Sequence, residues 1–132
     1  MIDMEATVFN SLMEPLRATF PGIYLTGEAV ASPSDFPCVS IVEQSNTTYM
    51  RTLTQTLFEN HADLMYQIDV YSNLATGKKS ECKAIFAVID EQMQNMGFVR
   101  TFLNPTPNAT DIYRMTGRYT AVASTDLTVY RR

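Results

Sequence analysis

The chain has no tryptophan, one histidine, two cysteines and five glycines in 132 residues, and only 18% of it is charged. Each scarcity excludes something. A lone histidine, His61, leaves no H-E-x-x-H pair to hold a catalytic zinc. Cys38 and Cys82 stand in no C-x-x-C or other metal spacing. Each falls among apolar residues and reads as a small buried hydrophobe, so nothing points to an oxidising compartment. Gly77-Lys78-Lys79-Ser80 has the form of half a phosphate loop, but Ser72 stands where the upstream glycine belongs. One glycine cannot make several backbone N–H groups converge on a phosphate, so the segment reads as a solvated first helical turn. No apolar run approaches the ~18 residues of a membrane helix. The opening MIDMEATVF carries acids where a secretory signal carries lysine or arginine. A soluble intracellular protein, or part of a particle assembled inside the cell, is expected.

What is present is enough apolar material for a core. At 45% hydrophobic, a chain of this length is expected to form a single domain over residues 1–132 without disulfides or a structural metal. The net charge of −4 speaks against a general nucleic-acid binder. The charge is divided: residues 100–132 hold five arginines and two acids, giving +3, which leaves −7 on residues 1–99. Such a division suits head-to-tail packing of subunits, positive region against negative.

The hydrophobic pattern predicts the element order α-β-β-β-α-β-β-β. Ile2, Ala6, Phe9, Leu12, Met13, Leu16 and Phe20 form a helical stripe, with Asp3 and Glu5 in the first turn and Pro15 expected to kink or end the helix nearby. Residues 23–25 form a short strand and 38–43 (CVSIVE) a longer one. Residues 46–56 hold five threonines and no acid, and read as a flexible excursion or as the arm of a long hairpin. Residues 61–72 (HADLMYQIDVYS) are the clearest strand, with Tyr66, Ile68 and Val70 alternating with Gln67, Asp69 and Tyr71. Asn73 or Thr76 is placed to cap a second helix, whose stripe is Cys82, Ile85, Phe86, Ile89, Met93 and Met96, with Gly97 ending it. Residues 98–103 and 112–123 are strands, with Gly117 a bulge or a close backbone approach. Residues 104–108 (NPTPN) are expected to loop, since two prolines disrupt a ladder, and 127–130 form a last short strand. Together these predict an α+β fold: a mostly antiparallel sheet with both helices packed on it.

Few residues offer reaction chemistry. His61, flanked by Glu59 and Asp63 at two-residue spacing, is the one trio that offers a metal or proton-transfer site, and a structural or solvated histidine is the plainer reading. Glu81, Asp90 and Glu91 fall on what reads as the outer, solvated face of the second helix. No catalytic, cofactor or metal residue is assigned, and the chain is read as a non-enzyme. Segments without a clean period instead supply candidate subunit contacts: the large apolar Tyr49, Met50, Leu53, Leu57 and Phe58 with Arg51 in the excursion, and Pro105, Pro107 and Asn108 in the later loop.

Three segments carry a family resemblance: Pro37-Cys38-Val39-Ser40-Ile41, Tyr66-Gln67-Ile68-Asp69-Val70-Tyr71-Ser72 and Arg118-Tyr119-Thr120-Ala121-Val122. In this order, with a helix before the first and another after the second, the chain resembles the tail terminator (tail completion) proteins of long-tailed bacteriophages. The resemblance implies an α+β subunit of a hexameric ring that caps the tail tube, stops its polymerisation and joins it to the head. The implied partners are further copies of the chain, the major tail tube protein and the head–tail connector, with DNA only as passing cargo. The implied location is the tail or neck of a virion assembled in the host cytoplasm. Pro15 departs from the unbroken first helix expected of such a protein. The alternatives are a head–tail connector or neck subunit, which shares the layout, and a small ligand-binding or enzymatic domain built on His61.

Overall fold

Alternation in the strand sequences and i, i+4 spacing in the helices build one sheet with helices on one of its faces. The structure is a computed structural model that describes residues 2–29, 33, 35–48, 61–106, 111–124 and 129–130. The elements are α1 (Glu5–Thr19), β1 (Tyr24–Thr26), β2 (Cys38–Thr48), β3 (His61–Ser72), α2 (Lys78–Asn95), β4 (Val99–Thr106), β5 (Tyr113–Ser124) and β6 (Val129–Tyr130). The expected element order and the α+β class are both observed. Across the sheet the strands run β1-β2-β3-β5-β4, with β6 pairing β5. Every pair is antiparallel except β1 with β2, so the sheet is mixed.

β3 forms the spine. Its residues Ala62, Leu64, Tyr66, Ile68 and Val70 are buried under the helices, together with Met115, Tyr119, Ala121 and Ala123 of β5. α2 contributes Cys82, Ile85, Phe86, Ile89 and Met93 to this layer, as its stripe predicts. α1 differs from expectation. It buries Val8, Leu12 and Leu16, while Phe9 and Met13 only flank the core and Ala6 is exposed. Ile2 and Met4 are buried from the segment just before the helix. Ile2, Leu12 and Leu16 are thus buried as predicted, and the line departs from prediction where Val8 takes the buried place given to Ala6 and Phe9, each buried side chain contributing about 1.5–3 kcal/mol. Pro15 neither ends the helix nor interrupts it before Thr19.

The turns explain several boundaries. α2 ends in a Schellman motif: Phe98 N–H donates to Met93 O and Gly97 N–H to Gln94 O, each at 2.9 Å. Gly97 has the left-handed φ of 98° that this motif needs. At its start, α2 is capped by Gly77 rather than by Asn73 or Thr76. Ser72 at the end of β3 donates to Glu81 at 2.6 Å, which ties the strand to the first helical turn and sets where the helix begins. β2 runs past residue 43 to Thr48 by absorbing a bulge between Glu43 and Ser45. Residues 46–48 thus belong to a long hairpin arm against β3, the second of the two readings above. β4 likewise runs to Thr106, so residues 104–106 are strand and not loop. Pro105 is tolerated there because β4 lies at the sheet edge, where one side of the strand owes no ladder hydrogen bond. Gly117 is the close approach expected of it: an added Cβ would lie 2.7 Å from Phe86 Cε1.

Candidate interaction surfaces

Of the contact residues predicted from sequence, only Pro105 falls on described structure. Tyr49, Met50, Arg51, Leu53, Leu57, Phe58, Pro107 and Asn108 lie outside the described residues. Pro105 is exposed on β4 and lines a groove between that strand and α2, of ≈ 440 Å³. Phe86, Leu103, Pro105 and Met115 give the groove an apolar floor, and Lys79, Lys83 and Arg100 stand around it. α2 sets this arrangement by spacing. Lys79, Lys83, Phe86 and Asp90 recur at steps of three and four, so all reach the same strip beside β4.

Asp90 organises the wall of the groove. It accepts from Arg100 Nη1 at 3.2 Å, Tyr119 Oη at 3.0 Å and Gln94 Nε2 at 2.7 Å. It therefore does not lie on the outer, solvated face with Glu91, as its position in the sequence suggests. Burial, reinforced by this carboxylate, pushes the Tyr119 phenol well above its ordinary range and keeps it a donor. Glu81 is likewise engaged, by Ser72.

At the other side of the sheet sits an acidic corner. Asp3 accepts the Glu5 N–H at 3.0 Å as α1 begins, and Asn46 of β2 donates to Ile2 O at 2.6 Å, which holds this start against the sheet. Glu43 of β2 faces the same corner and accepts from Tyr66 Oη at 3.3 Å and from Asn46. Burial first, then the nearby Glu5, raise the Glu43 carboxyl above its usual range. Strand register relates the two surfaces: Glu43, Tyr66, Tyr119 and Arg100 are successive cross-strand partners, so acid and base sit at opposite ends of one row. Three strand spacings separate them, roughly 14 Å.

The sheet face away from the helices carries a polar network. Asp69, 5% exposed, accepts from Arg114 Nε at 3.1 Å, from Gln67 at 3.1 Å and from the Thr116 hydroxyl. Arg118 Nε donates to Gln67 at 3.2 Å and its guanidinium lies 4.9 Å from the Phe102 ring centre. Arg114 lies over Tyr71 at 5.5 Å. The carboxylate is thus fully engaged, and the strand pairs β3–β5 and β5–β4 are stitched together through side chains as well as backbone. Ser40, also buried on this face, donates to Glu28 O at 2.7 Å, so the connection leading out of β1 packs there. Sequence reading found Asp69 and Tyr71 as motif residues but not their network, because their partners come from β5, more than forty residues further on.

Burial pushes the Cys38 and Cys82 thiols up to about 11 and about 12, so neither supplies a thiolate nucleophile. His61 and Asp63 share the face away from the helices at the start of β3, and Glu59 lies outside the described residues. Among the described residues no three His, Cys, Asp or Glu side chains are grouped to hold a metal ion, and no helix is long and apolar enough to cross a membrane.

No protein-family model matches the chain, and no curated protein matches it in sequence. Solved structures do resemble it. A chain in the virion of a native gene transfer agent particle superposes with a TM-score of 0.64 at 15% identity, over 90% of this chain and 92% of that one. The gp17 protein of bacteriophage SPP1 is a more distant likeness, with a TM-score of 0.41 at 17% identity over 88% and 89% of the two chains. The chain thus shares its fold, from one end to nearly the other, with a component of a virion-type particle.

Proposed function

We propose that this chain is a structural subunit of a phage-type tail: a tail terminator that closes into a ring, hexameric in the family it resembles, caps the tail tube, stops its growth and joins it to the head. The observation that carries the reading is the fold shared with a gene transfer agent virion component over nine-tenths of both chains. A second supports it. Two of the three family-like segments, residues 66–72 and 118–122, lie on the paired strands β3 and β5, with Tyr66 opposite Tyr119 and Gln67 opposite Arg118.

Such a protein works by ring geometry and surface complementarity rather than by catalysis. Its partners in this reading are further copies of itself, the major tail tube protein and the head–tail connector. DNA crosses the channel as cargo, and a net charge of −4 suits a lumen that does not grip phosphates. Tyr49, Met50, Arg51, Leu53, Leu57 and Phe58, in the segment joining β2 to β3, are assigned to subunit or tube contacts, with Pro105, Pro107 and Asn108.

The test is to add the purified chain to polymerising tail tube protein of the phage or prophage that encodes it. Tubes of fixed length with one capped end are expected. Unrestrained tubes, with the chain binding the portal side instead, would transfer it to the neck-connector class.

A further inference from the structure

The groove between α2 and β4 has an apolar floor and a basic rim, and Lys79 and Lys83 form no ion pair among the described residues. Arg100 is already matched by Asp90, but the two lysines beside an apolar floor fit an acidic surface with an apolar element in it. The acidic corner of this same chain has that composition: Asp3 and Glu5 line a hollow of ≈ 400 Å³ in which Phe9 is half-buried, and Glu43 stands near enough to feel both charges. Within one subunit the two surfaces sit at opposite ends of a row across the sheet, so they cannot meet. Two subunits set side by side along that row would bring them together.

We infer that the α2–β4 groove receives the acidic corner of a neighbouring copy, so that Lys79 and Lys83 of one subunit face Asp3 and Glu5 of the next. The contact uses two different surfaces and is therefore heterologous, the kind that closes into a ring when its rotation divides a full turn. It rests on the ring reading above and goes beyond it by naming both faces. Like charges brought together there are repelled, so the same residues reject a neighbour docked the wrong way round.

Charge reversal with rescue tests this. Lys79→Glu/Lys83→Glu disables the groove, and Asp3→Lys/Glu5→Lys disables the corner; all four residues are exposed, and because Asp3 also accepts the Glu5 N–H at the start of α1, circular dichroism and thermal denaturation check that each variant keeps the fold. Each double variant is expected to weaken self-association, or ring formation on tail tubes, by roughly tenfold or more at low salt. An equimolar mixture of the two variants, or all four changes in one chain, restores the attractive pairing and is expected to recover it to within about threefold of the original. Carbodiimide cross-linking of mixed ¹⁴N- and ¹⁵N-labelled chains is expected to join Lys79 or Lys83 of one copy to Asp3 or Glu5 of another. Rings that form regardless of the reversals, or cross-link elsewhere, overturn this interface and leave the ring reading standing. A chain that never self-associates, alone at high concentration or on tubes, overturns both.

Discussion

Replacing Gly117 with alanine sets two opposing effects against each other. In most strands this substitution stabilises by about 0.5–1 kcal/mol, because alanine leaves the unfolded chain less freedom to lose. Here the new methyl group would lie 2.7 Å from Phe86 Cε1, 3.1 Å from Cζ and 3.4 Å from Tyr119 Cε2. Carbon atoms pack best at about 3.5–4.0 Å, so the ring has to retreat by close to an ångström. Phe86 is 2% exposed, which resists that retreat, but it also borders the α2–β4 groove, which gives the ring a direction to yield. Overpacking of this kind costs roughly 1–3 kcal/mol, and the groove places Gly117→Ala near the middle of that range, for a net loss of about 1 kcal/mol. Urea denaturation is expected to show a lower midpoint with an unchanged slope, and thermal denaturation a melting temperature lower by roughly 3–6 °C. Trimming the ring removes the clash. Phe86→Leu is therefore expected to cost less in the Gly117→Ala background than alone, with a coupling of about 1 kcal/mol. A Gly117→Ala chain at least as stable as the original, or a coupling of zero, would refute the packing argument.

Three further outcomes follow from the polar and titratable groups. Asp69→Ala strips Arg114, Gln67 and Thr116 of their shared acceptor; a loss of about 3 kcal/mol is expected in urea denaturation, the low end for a broken buried pair because Arg114 keeps partial access to water. Cys38 and Cys82 are expected to stay unreacted with a thiol reagent at pH 8 in the folded chain and to react fully in denaturant, since both are buried with raised pKa values; rapid labelling of either in the native state would contradict the packing of the β2 and α2 cores. Glu43 has a raised carboxyl, so its protonated form favours folding and that contribution is lost as pH rises from the unfolded value through the folded one. In dilute protein Glu43→Gln is accordingly expected to gain stability relative to the original chain at neutral pH and to lose that advantage below about pH 4, as read from denaturation midpoints across the range.

Strong local signals made much of the fold legible. The alternation in residues 61–72 gives β3 with both its ends, and the apolar stripe closed by Gly97 gives the C-terminal half of α2. Gly117 stood out because a glycine in the middle of an apolar strand face needs a reason, and Phe86 is that reason. Misreadings came where tertiary context overrides local preference. Pro15 and Pro105 both look like breakers, yet one is carried inside α1 and the other on an edge strand. The threonines at 47 and 48 left an excursion and a hairpin arm both open, and the bulge after Glu43 decides for the arm by keeping them in register against β3. Asp90 follows the outer spacing of α2, but Arg100 and Tyr119 arrive from β4 and β5 to claim it. The charge division along the chain was visible as a count of residues. It does not map onto the two surfaces, because Lys79 and Lys83 of the basic groove belong to the acidic stretch; the strand register is what places groove and acidic corner at opposite ends of one row.

Locating the chain within isolated tails tests the central reading most directly. Tails carrying a gold-labelled copy are expected to show label at the head-proximal end alone, as a single ring closing the tube. Label along the whole tube, at the distal tip or on the capsid would contradict the assignment as a tail terminator.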